Sequence, residues 1–153
     1  MTIWYRASPH ENIKSTFSGE GGLYVAGRWN FLGRKSVYCS ESIALCTLEW
    51  LANNGLSVSG FDYYRYSIEV PTDLTIRFSQ SELPNDWSAT PSTDSTRDFA
   101  EKQLFASLKV LAIAIPSVIV PEEYNLVINP LHTAFPKVFH SAKFLGKHIA
   151  PTR

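Results

Sequence analysis

Five polar residues, Arg6, Arg28, Tyr38, Glu49 and Ser117, stand in apolar or glycine-rich surroundings where such groups are costly unless something uses them. Arg28 lies in Gly-Arg-Trp-Asn, where the glycine admits close backbone approach and the guanidinium offers a planar donor fork suited to phosphate oxygens. The same arginine could instead stack on Trp29 or pair with a surface carboxylate. Arg6 falls in the middle of an apolar run, and a cation there needs an anion or the solvent. Glu49 follows Leu45 by four residues and Leu48 by one, at the edge of an apolar helical stripe. From there it either reaches water or faces a cleft, where a carboxylate can hold a sugar hydroxyl or stabilise a developing cation. Tyr38 is a core ring or a stacking platform for a flat heterocycle. Ser117, after Pro116, is a turn residue or a ligand donor.

The elements that position these residues are read from periodicity. A strand is expected over residues 3–7, carrying Arg6, and a flexible loop over 8–27 with Gly19, Gly21 and Gly22. A short buried strand over 36–39 carries Tyr38. Ser40 reads as the N-cap of a helix in which Ala44, Leu45, Leu48, Leu51 and Ala52 share a stripe, ended by Asn54 and Gly55. Residues 61–70 alternate so that Tyr64, Tyr66, Ile68 and Val70 share a face, and Leu74, Ile76 and Phe78 do so after Pro71. A surface loop rich in Ser, Thr, Pro and Asp spans 79–95. A second helix is expected over 96–108 with Phe99, Leu104 and Leu108 inward, then a strand over 110–115 and further extended pieces at 118–120, NLVINP and KVFHSAKF. Strands, a helix, more strands, another helix and more strands indicate a mixed sheet of the α/β or α+β kind.

Composition narrows the class. The chain has 153 residues, the length of one domain over 1–153, and its 14 Lys and Arg balance its 14 Asp and Glu, which argues against a general nucleic-acid binder. No Asp or Glu follows Glu123, so Lys137, Lys143, Lys147 and Arg153 make a basic C-terminal segment, a solvated face or a partner edge. With no leader-like segment and no apolar run long enough to span a bilayer, a cytoplasmic protein without membrane contact is expected. Cys39 and Cys46 lack CxxC spacing and read as small buried hydrophobes. The four histidines lack metal-ligand spacing, with His132 in NPLH the one worth testing, and no esterase, phosphate-loop, zinc-protease or dinucleotide fingerprint is present.

Taken together, Tyr5-Arg6, GRWN, VYCS, ALCTLEW, PSVIVPEEYN and NLVINPLH resemble the RES domain, the toxin half of RES–Xre toxin–antitoxin pairs, in order and spacing over most of the chain. The resemblance implies a single α+β domain with an ADP-ribosyltransferase-like mixed sheet flanked by helices. It implies consumption of NAD⁺ as substrate by hydrolysis or phosphorolysis, or transfer of ADP-ribose to a protein. No metal or further cofactor is called for, and a cognate Xre-type antitoxin is the expected partner. On that pattern Arg28, with Arg6, would hold the pyrophosphate and Tyr38 would stack on nicotinamide. Glu49 would bind the ribose hydroxyl and stabilise an oxocarbenium-like transition state, and Ser117 would orient the ribose or the attacking group. One stretch departs from the pattern: STRDFAEKQL has Ala100, Glu101 and Gln103 where a Gly-Asp pair and a Trp are expected. An RNA-cleaving toxin and a nucleotide-binding module without turnover are the competing readings.

Overall fold

In a computed structural model, which describes residues 1–151 apart from the side chains of Leu56 and Ser57, seven strands form one mixed sheet. Arg153, counted above in the basic segment, lies outside the described residues. The strands are β1 (Thr2–Ser8), β2 (Val37–Ser40), β3 (Asp62–Val70), β4 (Thr75–Arg77), β5 (Ala112–Pro116), β6 (Tyr124–Ile128) and β7 (Lys143–Ile149). Their order is β4-β5-β6-β2-β1-β3-β7, antiparallel throughout except for the β4–β5 pair. The helices are α1 (Ile13–Phe17), α2 (Gly21–Tyr24), α3 (Ile43–Asn54), α4 (Asp94–Ala100) and α5 (Phe135–Phe139). The α+β class expected above is the one observed.

The period-2 alternation of the strands divides the apolar residues between the two faces of the sheet. Trp4, Val37, Tyr66, Ile68, Val70, Leu126 and Ile128 pack with Phe17 of α1 and with Phe135 and Val138 of α5 on one face. On the other face Ile113, Ile115 and Val127 meet Trp29, Ala100, Leu104 and Trp87, while Ala7 and Tyr63 meet Cys46 and Trp50 of α3. That second face is therefore covered at its two ends, by α3 over β1 and β3 and by α4 with its flanking segments over β5 and β6. The central strand β2 lies where these covers meet.

A discontinuity in the sheet lies at the same place. β1 and β2 are joined at one pair, Tyr5 opposite Ser40, whereas β2 pairs with β6 along its whole length, from Val37 opposite Ile128 to Ser40 opposite Asn125. Where the β1 backbone would next pair with Tyr38, the Arg6 side chain does so instead, Nη1 donating to the Tyr38 carbonyl at 2.8 Å.

Several local expectations are corrected. Ser42, not Ser40, caps α3, its hydroxyl accepting from the Leu45 amide. The stripe facing the sheet is turned accordingly: Leu45, Cys46 and Trp50 are buried and Leu48 is exposed, which carries Glu49 from the stripe edge onto the inner side. The second helix ends as a π-turn over Glu101–Phe105, leaving Leu108 91% exposed rather than inward. The loop over 8–27 contains α1 and α2, residues 118–120 form bends, and KVFHSAKF splits between α5 and β7. Leu74 and Phe78 pack on opposite faces of the sheet and Ile76 is exposed, because β4 is only three residues long.

Candidate active site

The central strands, α3 and the segment before β2 enclose a lobed cleft. One lobe, of about 280 Å³, is lined by Tyr5, Arg6, Tyr38, Glu49, Asn53 and Asn125 among others. A second, of about 580 Å³, is lined by Gly27, Arg28, Trp29, Tyr38, Glu49 and Asn125 among others. A third, of about 250 Å³, lies against Arg6, Tyr38 and the Gly19–Gly22 segment. Tyr38 borders all three lobes, and Glu49 and Asn125 stand on the partition between the first two. Four of the five residues singled out in the sequence thus converge on one concavity.

Ser117 is the exception. It is 0% exposed and lines none of these lobes. Its hydroxyl donates to Glu49 Oε1 at 2.7 Å and accepts from the amides of Ile119 and Val120, both at 3.1 Å. The direct ligand contact expected of Ser117 is replaced by a contact with Glu49. Of its two readings the turn residue is the one observed, and the same oxygen that organises the turn after β5 also holds the carboxylate.

Glu49 Oε1 also accepts from Asn125 Nδ2 at 2.8 Å, while Oε2 has no hydrogen-bond partner among the described residues. One carboxylate oxygen is fixed by two donors and the other is left for the cleft. Asn125 Oδ1 in turn accepts from the buried hydroxyl of Ser40 at 2.6 Å.

The two arginines differ in depth. Arg28 Nη1 donates to the carbonyls of Trp87, at 2.9 Å, and Ala89, at 2.7 Å, so the guanidinium is anchored while Nε and Nη2 have no hydrogen-bond partner among the described residues. Burial lowers its pKa, and the charge of Glu49 acts in the opposite direction. Arg6 donates from Nε to the Thr16 carbonyl at 2.9 Å and from Nη1 to that of Tyr38. Burial pulls its pKa down too, and the groups that oppose the shift are Cys39, Cys46 and Tyr38, with no carboxylate among them. Among the described residues neither arginine forms a salt bridge.

Tyr38 is held by its hydroxyl, which donates to Asn30 Oδ1 at 2.6 Å and accepts from the Trp29 amide at 3.2 Å. Burial raises its pKa strongly, so the phenol stays neutral. The tight fit explains Gly27: a Cβ there would lie 2.5 Å from Asn30 Oδ1 and 2.7 Å from the Tyr38 hydroxyl. Arg97 fixes the same segment, its Nε donating to the Gly27 carbonyl at 2.9 Å, and the buried Thr96 hydroxyl donates to the Arg28 carbonyl.

Comparison with known proteins gives this arrangement a context. The family model described as "RES domain" matches residues 3–147. The chain belongs to the RES domain family. It is 31% identical to "Toxin Res" of Photorhabdus laumondii over 143 residues, 94% of this chain and 91% of that one. It is 38% identical to the "Prs ADP-ribosylating toxin" of a Sphingobium species over 120 residues, 75% of this chain and 73% of that one. Among solved structures, the M. tuberculosis MbcT–MbcA toxin–antitoxin complex matches with a TM-score of 0.65 and 17% identity, over 98% of this chain and 84% of the matched one, a likeness of fold.

Within this RES domain, the stretch that departs from the family pattern has a structural use. Glu101, at the start of the π-turn, takes a bidentate pair from Arg34, Nε to Oε1 at 2.9 Å and Nη2 to Oε2 at 2.8 Å, which ties α4 to the segment before β2. Sequence reasoning missed Asn125, Asn30 and Ser40 as members of the site. All three sit inside or beside stretches that already stood out, GRWN, VYCS and NLVINP, and a polar residue directly before the apolar run LVI is the signal that Asn125 carries. No helix among the described residues is long and apolar enough to cross a membrane.

Proposed function

We propose that this RES domain is the toxin half of a toxin–antitoxin pair and cleaves the nicotinamide–ribose bond of NAD⁺. The observation that carries the reading is the state of Glu49: one oxygen is clamped by Ser117 and Asn125, and the other is unengaged at the partition between two lobes, one of which holds Arg28. A carboxylate so presented accepts a ribose hydroxyl and faces the positive charge that develops at C1′ as the bond to nicotinamide lengthens. Nicotinamide leaves with the bonding electron pair and becomes neutral, so no Lewis acid is called for. An incoming oxygen forms the new bond to C1′, and its proton is lost to solvent.

The remaining residues take binding roles. The open arms of Arg28 fit pyrophosphate oxygens, and Arg6 supplies a second desolvated cation in the adjoining lobes. Tyr38, a neutral ring pinned at its hydroxyl, provides a face on which nicotinamide stacks. Ser117 serves the reaction through Glu49. Hydrolysis or phosphorolysis is the first reading for the acceptor. Transfer of ADP-ribose to a protein is the second, favoured by the 38% identity to a relative named for ADP-ribosylation. An Xre-type antitoxin that covers the cleft is the proposed partner.

The test is NAD⁺ loss by the purified protein, with products resolved by mass in the presence and absence of phosphate and of candidate protein acceptors. Glu49→Gln keeps the shape and removes the charge, and it is expected to lower kcat by about 10²–10³-fold with little change in melting temperature. Turnover by that variant at the wild-type rate overturns the assignment.

A further inference from the structure

The position of Asn125 has a consequence that the family resemblance does not supply. Asn125, the second residue of β6, lies directly opposite Ser40, the last residue of β2, so the sheet ladder itself sets these two side chains side by side. A carboxylate only accepts hydrogen bonds, so the amide of Asn125 must turn its nitrogen to Glu49 Oε1. Its oxygen then faces Ser40, whose hydroxyl must donate. The hydroxyl of Ser117 is likewise constrained: it accepts from two backbone amides and has its one proton left for Glu49. Every hydrogen bond in the row Ser40, Asn125, Glu49, Ser117 has a single direction. The row converges on one oxygen of one carboxylate.

We propose that Asn125 is a positioning residue for Glu49: it pins Oε1 so that Oε2 meets the substrate, and Ser40 keeps the amide the right way round. The inference rests on the function proposed above and adds a residue and a purpose to it. Ser117 alone leaves the carboxylate free to pivot about a single hydrogen bond. Two donors on one oxygen, one from the turn after β5 and one from β6, fix the plane of the group, so that its charge is already in place when the transition state forms. Asn125 also borders both lobes on either side of Glu49, which places the clamp at the partition itself.

The experiment uses Asn125→Ala and Asn125→Asp in the full chain, with kcat, KM and melting temperature followed from about pH 8 to about pH 5. Asn125→Ala removes the donor and is expected to lower kcat about 10- to 100-fold while KM changes little, the pattern of an interaction made in the transition state. In Asn125→Asp the introduced carboxyl faces Glu49 and can donate only when protonated. Its activity relative to wild type is therefore expected to rise as the pH falls. The deficit in melting temperature should shrink in the same direction, because a carboxyl whose pKa is raised in the folded state costs stability as the pH climbs through that value. Ser40→Ala is expected to lower kcat only a few-fold, since the carboxylate still attracts the amide nitrogen.

An Asn125→Ala kcat within about twofold of wild type, or an Asn125→Asp activity ratio that does not move with pH, overturns the positioning role and leaves NAD⁺ cleavage standing. A wild type without turnover overturns the reaction, and the kinetic role with it. In that case the melting temperature of Asn125→Asp still reads the contact: a deficit that does not shrink at low pH overturns the contact as well.

Discussion

Arg28 and Arg34 lie six residues apart in one glycine-punctuated segment, yet their surroundings are opposites. Arg34 is partly exposed and has a full bidentate carboxylate partner in Glu101, with Phe105 beneath its guanidinium. Arg28 lines the cleft, is tied only to neutral carbonyls, and has a lowered pKa because burial opposes its charge. Arg6 extends the contrast, being deeper and equally without a carboxylate bonded to it. A fold selected for stability alone would place its counter-charges the other way round, since an unpaired cation costs most where water is excluded. Neither arginine of the cleft wall has a carboxylate partner among the described residues. On the function proposed above, an anionic ligand completes them.

The largest expected effect that tests this contrast comes from Arg28→Ala. Charge-assisted hydrogen bonds to phosphate are worth about 1.5–3 kcal/mol each, so KM for NAD⁺ should rise by roughly 10- to 100-fold, with a smaller change in kcat. Arg28→Lys keeps the charge without the fork and should fall between the variant and the wild type. An unchanged KM and kcat for Arg28→Ala would remove the phosphate assignment and leave the cavity-lining position of Arg28 without a use.

Arg34→Ala is the matched control and should act on stability alone. The Arg34–Glu101 pair has side-chain exposures of 38% and 28%, so solvent screens it and its contribution is about 0.5–1 kcal/mol. The expected result is a drop in melting temperature of about 2–4 °C with KM for NAD⁺ unchanged. A rise in KM comparable to that of Arg28→Ala would mean that the two arginines belong to one binding surface, and the comparison would fail.

How far the site was legible in the sequence follows the same division. Arg6 and Arg28 stood out because a cation in a strand or beside a glycine is conspicuous by type alone, and Glu49 because its offset from the leucines could be counted. What could not be counted was side-chain partnership across long intervals. Asn125 meets a residue 76 positions away and Ser117 one 68 positions away, and no local pattern encodes either. The helix boundaries failed for a related reason. Ser40 and Ser42 are both plausible caps by type, and the choice is made by the β2–β6 ladder, which claims Ser40 as a strand residue. The sequence spacing carries the second helix too far because its apolar positions continue past Phe105, whereas the pairing of Glu101 with Arg34 occurs in a π-turn that closes the helix there. The sheet class was readable because the alternation of β1 and β3 and the short apolar run of β5 are properties of each segment by itself.

The smallest expected effect concerns the groups nearest Arg6. Cys39 and Cys46 are buried beside it, and a thiolate at either position would be the missing counter-charge. Burial acts the other way: it raises Cys39 to about 12 and Cys46 to about 11, with the nearby arginines opposing the shift without reversing it. Both thiols are then neutral at physiological pH, and the guanidinium of Arg6 stays bonded to carbonyls alone among the described residues, as the proposed binding role expects. Because the folded values lie above the ordinary thiol value of about 9.0, stability is intact below that pH and falls as the pH rises toward 11 and 12. The expected observation near neutrality is therefore no change: no ultraviolet thiolate absorbance in the native protein and no alkylation on the timescale of an unfolded control. Thiolate absorbance in the native protein at neutral pH, abolished by Cys39→Ser or Cys46→Ser, would give Arg6 an internal partner, and the argument from its unpaired charge would then rest on Arg28 alone.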